Sequence, residues 1–83
     1  MKPDEAALLR EIYHSKESPL YVRDIIKRLD MHINRGAYIC QKWDKKGWYE
    51  YGVNILAGWL TEKGKRAARE TEVRVVVSPP PSE

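Results

Sequence analysis

Cys40, His14 and His32 are the side chains of this 83-residue chain best suited to nucleophilic or metal chemistry. One cysteine excludes an internal disulfide, and one Cys with two separated His cannot complete a four-ligand zinc site. Neither histidine has a carboxylate or thiol at a catalytic spacing, and Cys40 falls among apolar neighbours, where a thiol packs as a small hydrophobe. No Gly-rich phosphate loop occurs, so neither an enzyme nor a metal or cofactor is expected. What remains is the chemistry of hydrogen bonds and charge. Residues 20–50 carry seven basic and four acidic groups, the whole of the chain's formal excess of +3. Attraction for an anionic partner follows local rather than total charge, so it should concentrate there.

The elements that position these groups follow from periodicity and punctuation. Pro3 suits a first helical turn, Asp4 and Glu5 complement the positive end of the helix dipole, and Leu8, Leu9, Ile12 and Tyr13 recur at helical spacing. A first helix is expected over about Pro3 to His14. Ser15 to Pro19 is a polar break, with Ser18 extended ahead of Pro19 and Leu20 in a very short strand. From Tyr21, the stripe Val22, Ile25, Ile26 and Leu29 makes a second helix of about two turns. After the connector Asp30-Met31-His32, a third helix runs from Ile33 to about Lys46. It is stopped by Gly47 in a left-handed cap, with Lys45 and Lys46 at the negative end of its dipole.

Trp48 to Tyr51 and Gly58 to Leu60 read as a two-stranded hairpin, with Trp48 and Leu60 pointing into the core. Thr61, accepting from the Gly64 amide, caps a short fourth helix to about Glu70. The organisation expected is one domain over residues 1–71 and a tail over 72–83. The tail holds a possible strand, Val73 to Val77, and a Pro-rich end, Ser78 to Glu83, with a polyproline bias. The fold class is mainly α with a small β-hairpin (α+β). Trp43, Trp48 and Trp59 are expected in the core rather than on a base-stacking platform. Gly36 inside the third helix costs about 1 kcal/mol relative to alanine, and close approach of the second helix is the expected compensation.

Two phrases narrow the topology. Lys45-Lys46-Gly47-Trp48-Tyr49-Glu50 closes an amphipathic helix, and Gly58-Trp59-Leu60-Thr61-Glu62-Lys63-Gly64-Lys65 leaves a strand. Together they resemble the ends of the recognition helix and of the wing in winged helix-turn-helix domains. The likeness covers about residues 4 to 71 and is closest to small MarR-like or PadR-like transcriptional regulators. It implies a three-helix core, a two-stranded wing and a short C-terminal helix, with the third helix in the major groove of double-stranded DNA.

With Gly36, Ile39, Cys40 and Trp43 inward, the other side of that helix carries Asn34, Arg35, Tyr38, Gln41, Lys42 and Lys45. On the DNA-binding expectation Arg35 pairs with a guanine and Asn34 or Gln41 with an adenine. Lys42, Lys45 and Lys46 meet phosphates, and Tyr38 gives a phosphate bond or a methyl contact. Arg23 and Lys27 of the second helix are further phosphate candidates; Arg28 has Asp24 at pairing distance along the helix.

From Gly47 through Glu62 there is no Lys or Arg, unlike wings that grip DNA. Only Asn54 offers side-chain donors near the tip, beside apolar Val53, Ile55 and Leu56. That apolar tip either folds back or contacts a second copy or another protein, which makes a winged-helix protein-interaction module the alternative function. Val73, Val75 and Val77 could pair as an edge strand across a two-fold axis, giving a homodimer. RNA is disfavoured, because A-form duplexes hide their major groove. No stretch approaches the length of a membrane span, and the opening Met-Lys-Pro-Asp-Glu lacks a targeting pattern, so a cytoplasmic location and no membrane partner are expected.

Overall fold

Pro3 opens α1 (Pro3–His14) in the computed structural model, which describes residues 1–16 and 21–77, the side chains of 73–77 excepted. Glu5, Leu8, Leu9 and Ile12 form its buried stripe. The expected break at Ser18 and Pro19, the strand at Leu20 and the Pro-rich end lie outside the described residues. Then follow α2 (Val22–Arg28), α3 (Ile33–Lys46), β1 (Tyr49–Tyr51), β2 (Gly58–Leu60) and α4 (Glu62–Val77). Among the described residues the chain is thus mainly helical, with one antiparallel two-stranded hairpin.

One cap geometry ends both α2 and α3. After α2, Asp30 takes a left-handed conformation (φ 56°), its N–H donating to the Lys27 carbonyl and the Met31 N–H to that of Ile26, both at 3.0 Å. After α3, Gly47 does the same (φ 79°), with Gly47 N–H on Asp44 O at 3.0 Å and Trp48 N–H on Trp43 O at 2.9 Å. These paired bonds satisfy terminal carbonyls and reverse the chain within a few residues, which fixes the angle between α2 and α3. Aspartate is among the few non-glycine residues that tolerate the left-handed region, so the α2–α3 turn needs no glycine.

The core is a single cluster. Leu8, Leu9 and Ile12 of α1 meet Val22, Ile25 and Ile26 of α2, Ile39, Cys40 and Trp43 of α3, and Tyr49, Leu56, Leu60 and Ala68. Each fully buried aliphatic side chain contributes about 1.5–3 kcal/mol of transfer free energy. A Cβ on Gly36 would lie 2.2 Å from Ile26 Cδ1, so the glycine admits α2 against α3 as expected. Gly64 likewise permits a close approach, since a Cβ there would sit 2.1 Å from the Trp48 carbonyl oxygen. Thr61 caps α4 through its Oγ1, which accepts from Gly64 N–H at 3.1 Å.

Three expectations are corrected. The hairpin register pairs Tyr49 with Leu60, so Tyr49, fully buried, is the inward residue of β1, while Trp48 precedes the strand and is half-buried. Side chains alternate along a strand, so placing Tyr49 inward keeps Trp48 off that face, and Trp48 packs against the core from its edge, partly buried. Trp59, opposite Glu50, faces out and is 51% exposed. Finally, Val73 to Val77 form no strand: α4 runs unbroken to Val77, well past the expected end near Glu70, so an edge-strand dimer through Val73, Val75 and Val77 has no strand to build on. Between Glu70 and Val73 the sequence has no glycine or proline, and extending an existing helix avoids a new nucleation step, which outweighs the weak strand preference of valine.

Candidate nucleic-acid interface

Positioning of α3 begins at its N-cap, where His32 Nδ1 accepts from Asn34 N–H at 3.0 Å. Burial of Gly36, Ile39, Cys40 and Trp43 then turns the rest of the helix outward. The polar residues of α3 are not equivalent, however. Asn34, Tyr38, Gln41 and Lys45, spaced by four, three and four residues, form an exposed stripe along one side. Arg35 and Lys42, seven apart, form a second row that faces α1.

That second row is held by carboxylates. Arg35 Nε donates to Asp4 Oδ2 at 2.8 Å and its Nη2 to Asp4 Oδ1 at 3.1 Å, a two-pronged pair; Nη2 also lies 3.5 Å from Glu5 Oε1. Lys42 Nζ donates to both oxygens of Glu5, at 3.0 and 3.2 Å. Glu5 is only 2% exposed, the one charged side chain in the core among the described residues. Hydrogen bonds from Arg35 hold the Asp4 carboxyl below its ordinary pKa, and the same pair raises that of the guanidinium. For Glu5, burial pushes the pKa up, but the hydrogen bonds and charge of Lys42, joined by a backbone bond from Lys2 and the charge of Arg35, together outweigh it and the net direction is down. Both carboxylates are therefore ionised at neutral pH. Arg35 also sits 5.7 Å from the centre of the Tyr38 ring, which stays 57% exposed.

The other basic groups expected at the interface are solvent-exposed. Lys46 lies over the Trp48 ring at 4.6 Å and is exposed. Arg23 and Lys27 are exposed on α2. In the hairpin loop, Leu56 is buried, Ile55 packs against the core and Val53 is fully exposed. Asn54 is engaged in the loop itself, its Oδ1 accepting from Leu56 N–H at 2.8 Å. Tyr49 Oη donates to the Ile55 carbonyl at 2.6 Å, and Val22 N–H donates to the Leu56 carbonyl at 3.0 Å, which anchors the loop to the core. So most of the apolar tip folds back on its own domain. Cys40 is fully buried, and desolvation pushes its thiol up to about 11.

Sequence reasoning missed Asp4 and Glu5, which it assigned to the helix dipole. A signal was present: Glu5 shares the helical stripe of Leu8, Leu9 and Ile12, and a carboxylate on a buried stripe needs a cation. Among the described residues no group of three or more His, Cys, Asp or Glu is placed to hold a metal ion, and no helix is long and apolar enough to cross a membrane. Compared with known proteins, the chain matches no family model, and no curated protein or solved structure is significantly similar to it.

Proposed function

We propose that the chain is a winged helix-turn-helix protein that binds double-stranded DNA sequence-specifically, as a small transcriptional regulator, with α3 in the major groove. The observation that carries this is the exposed stripe Asn34, Tyr38, Gln41 and Lys45, on a helix fixed by a tight turn to α2. The amides of Asn34 and Gln41 suit the donor and acceptor pair of adenine, and Tyr38 suits a thymine methyl or a phosphate. Lys45, Lys46, Arg23 and Lys27 supply phosphate contacts. Arg35 and Lys42 contribute only by exchanging Asp4 and Glu5 for the nucleic acid, so they are secondary rather than leading contacts.

Selection of bound duplexes from a random pool tests this, followed by salt titration of the enriched site. An enriched motif is expected, with Gln41→Ala relaxing preference at about one base pair and Lys45→Ala lowering the salt slope by roughly one. Failure to enrich any motif, or affinity indifferent to salt and to both substitutions, refutes the proposal. The rival, a protein-interaction module, draws support from the fully exposed Val53 on a hairpin without basic residues.

A further inference from the structure

A groove of about 730 Å³ runs between the C-terminal end of α1, β2 and α4. Its floor is apolar and aromatic: Ile12, Tyr13, Trp59 and Leu60. Its rim is basic: His14, Lys16, Lys65 and Arg69, with no carboxylate among the described lining residues. None of these residues belongs to α2 or α3, so the groove is distinct from the face proposed to meet DNA.

We infer that this groove docks an extended acidic segment of a partner protein, whose apolar side chains cover Trp59 and Tyr13 while its carboxylates meet Lys16, Lys65 and Arg69. Trp59 is the largest exposed apolar side chain among the described residues, and its indole N–H is turned to Glu50 Oε1 at 3.3 Å, which fixes the ring on the outer face of the hairpin. Arg69 is equally prearranged. Its Nη1 donates to Tyr13 Oη at 3.4 Å, and its guanidinium carbon lies 6.0 Å from the centre of that ring. Tryptophan, tyrosine and arginine held in place beforehand lose little side-chain entropy on association, and such groups dominate binding energy at protein interfaces.

Charge selects the occupant. The internal partners of the rim are displaceable: Lys65 meets Glu62 at 3.6 Å with both side chains largely exposed, a pair worth little in water. His14 is bonded to Glu72, which approaches from α4 without lining the groove. The shape suits a chain segment better than a small molecule, because the groove is not enclosed. A second cleft of about 240 Å³ continues it past His14 and Lys16 to Arg28, with Glu11 as its one described carboxylate.

The test uses the full chain and a fluorescein-labelled twelve-residue peptide alternating Asp or Glu with Leu and Trp. Two controls replace its acidic residues with Lys or its apolar residues with Ser. Fluorescence polarisation should show saturable binding of the acidic–apolar peptide alone. The double variant Lys65→Gln/Arg69→Gln should weaken it about tenfold. The matched variant Lys63→Gln/Arg66→Gln, which removes the same charge from exposed α4 positions outside the groove, should change it less than twofold. Amide shift changes in the wild type should cluster on residues 12–16, 59–60 and 65–69. No binding, equal weakening in both variants, or equal binding of the Ser-substituted peptide overturns the inference. So does loss of duplex or single-stranded DNA binding in Lys65→Gln/Arg69→Gln, which would make the groove a nucleic-acid site. Duplex affinity unchanged in that variant leaves the DNA-binding proposal to its own test.

Discussion

Glu5→Gln is the substitution with the most to say, because stability and DNA affinity should move in opposite directions. In the folded chain the Glu5 side chain is 3% exposed and receives two bonds from Lys42, whose side chain is 36% exposed. A hydrogen bond to a charged group contributes about 1.5–3 kcal/mol, and the partial exposure of Lys42 reduces this, so the loss should be about 1–2 kcal/mol. For a domain of this size that corresponds to a Tm lower by about 5–15 °C. Glutamine keeps the shape and still satisfies one donor, so the fold should survive. The sign with pH follows from the depressed carboxyl pKa. Stabilisation by Glu5 is complete above its unfolded value, near 4.5, and is lost as pH falls through the lower folded value. The gap in stability between wild type and Glu5→Gln should therefore be widest at neutral pH and close in acid.

On the DNA-binding proposal, the same change frees Lys42 for a phosphate of the duplex. Affinity should rise at low salt and the salt slope should steepen by roughly one. Denaturant melts at several pH values and a salt titration of the selected duplex read the two effects separately. A gap in stability that does not shrink in acid refutes the Glu5–Lys42 pairing. Lower stability with an unchanged salt slope refutes the placement of Lys42 beside the nucleic acid.

Two further outcomes follow from the core. Gly36→Ala places a methyl 2.2 Å from Ile26 Cδ1, an overpacking cost of about 1–3 kcal/mol set against about 1 kcal/mol of helix propensity gained, so the net loss should be up to about 2 kcal/mol, and Ile26→Ala should cost less in that background than in the wild type; additive melts would show that the helices do not meet there. Cys40, buried and with its thiol pushed up to about 11, should react with a disulfide reagent only through unfolding, so its labelling rate should rise in denaturant along the unfolding curve; fast labelling of the native protein would contradict its burial.

The limits of α1 and α3 were legible because their punctuation is local. Pro3 can open a helix but not continue one, and Gly47 takes a conformation that other residues resist. Asp30 is harder to read, since aspartate ends helices less often than glycine, yet the stripe Val22, Ile25, Ile26 and Leu29 stopping just before it marks the place. What could not be read is what depends on contacts distant in sequence. Arg35 and Lys42 lie on the polar side of α3 by any helical projection, and only the packing of α1 against the bundle decides that they meet Asp4 and Glu5, some 30 or more residues away. The choice between Trp48 and Tyr49 as the buried aromatic was of the same kind. A shift of one residue in the hairpin register exchanges them, and both are large enough to fill a core.

Asp4 and Glu5 of α1 change what a duplex would sense. With Arg35 and Lys42 neutralised, the exposed stripe of α3 presents amides and a phenol with a single cation, Lys45, while Lys46 on α3 and Arg23 and Lys27 on α2 are exposed as well. Affinity for any DNA sequence scales with the number of phosphates neutralised, whereas discrimination between sequences comes from base contacts. Asp4 and Glu5 therefore subtract from the sequence-independent term and leave the contribution of Asn34 and Gln41 intact. A site that does allow Arg35 to reach a guanine must first break its paired bonds to Asp4, so that contact forms only where the base edge matches the guanidinium fork as well as the carboxylate did. On the DNA-binding proposal, α1 is thus a competitor built into the domain. It lowers attachment to every sequence by the phosphate contacts it withholds, and it leaves the discrimination supplied by Asn34 and Gln41 unchanged.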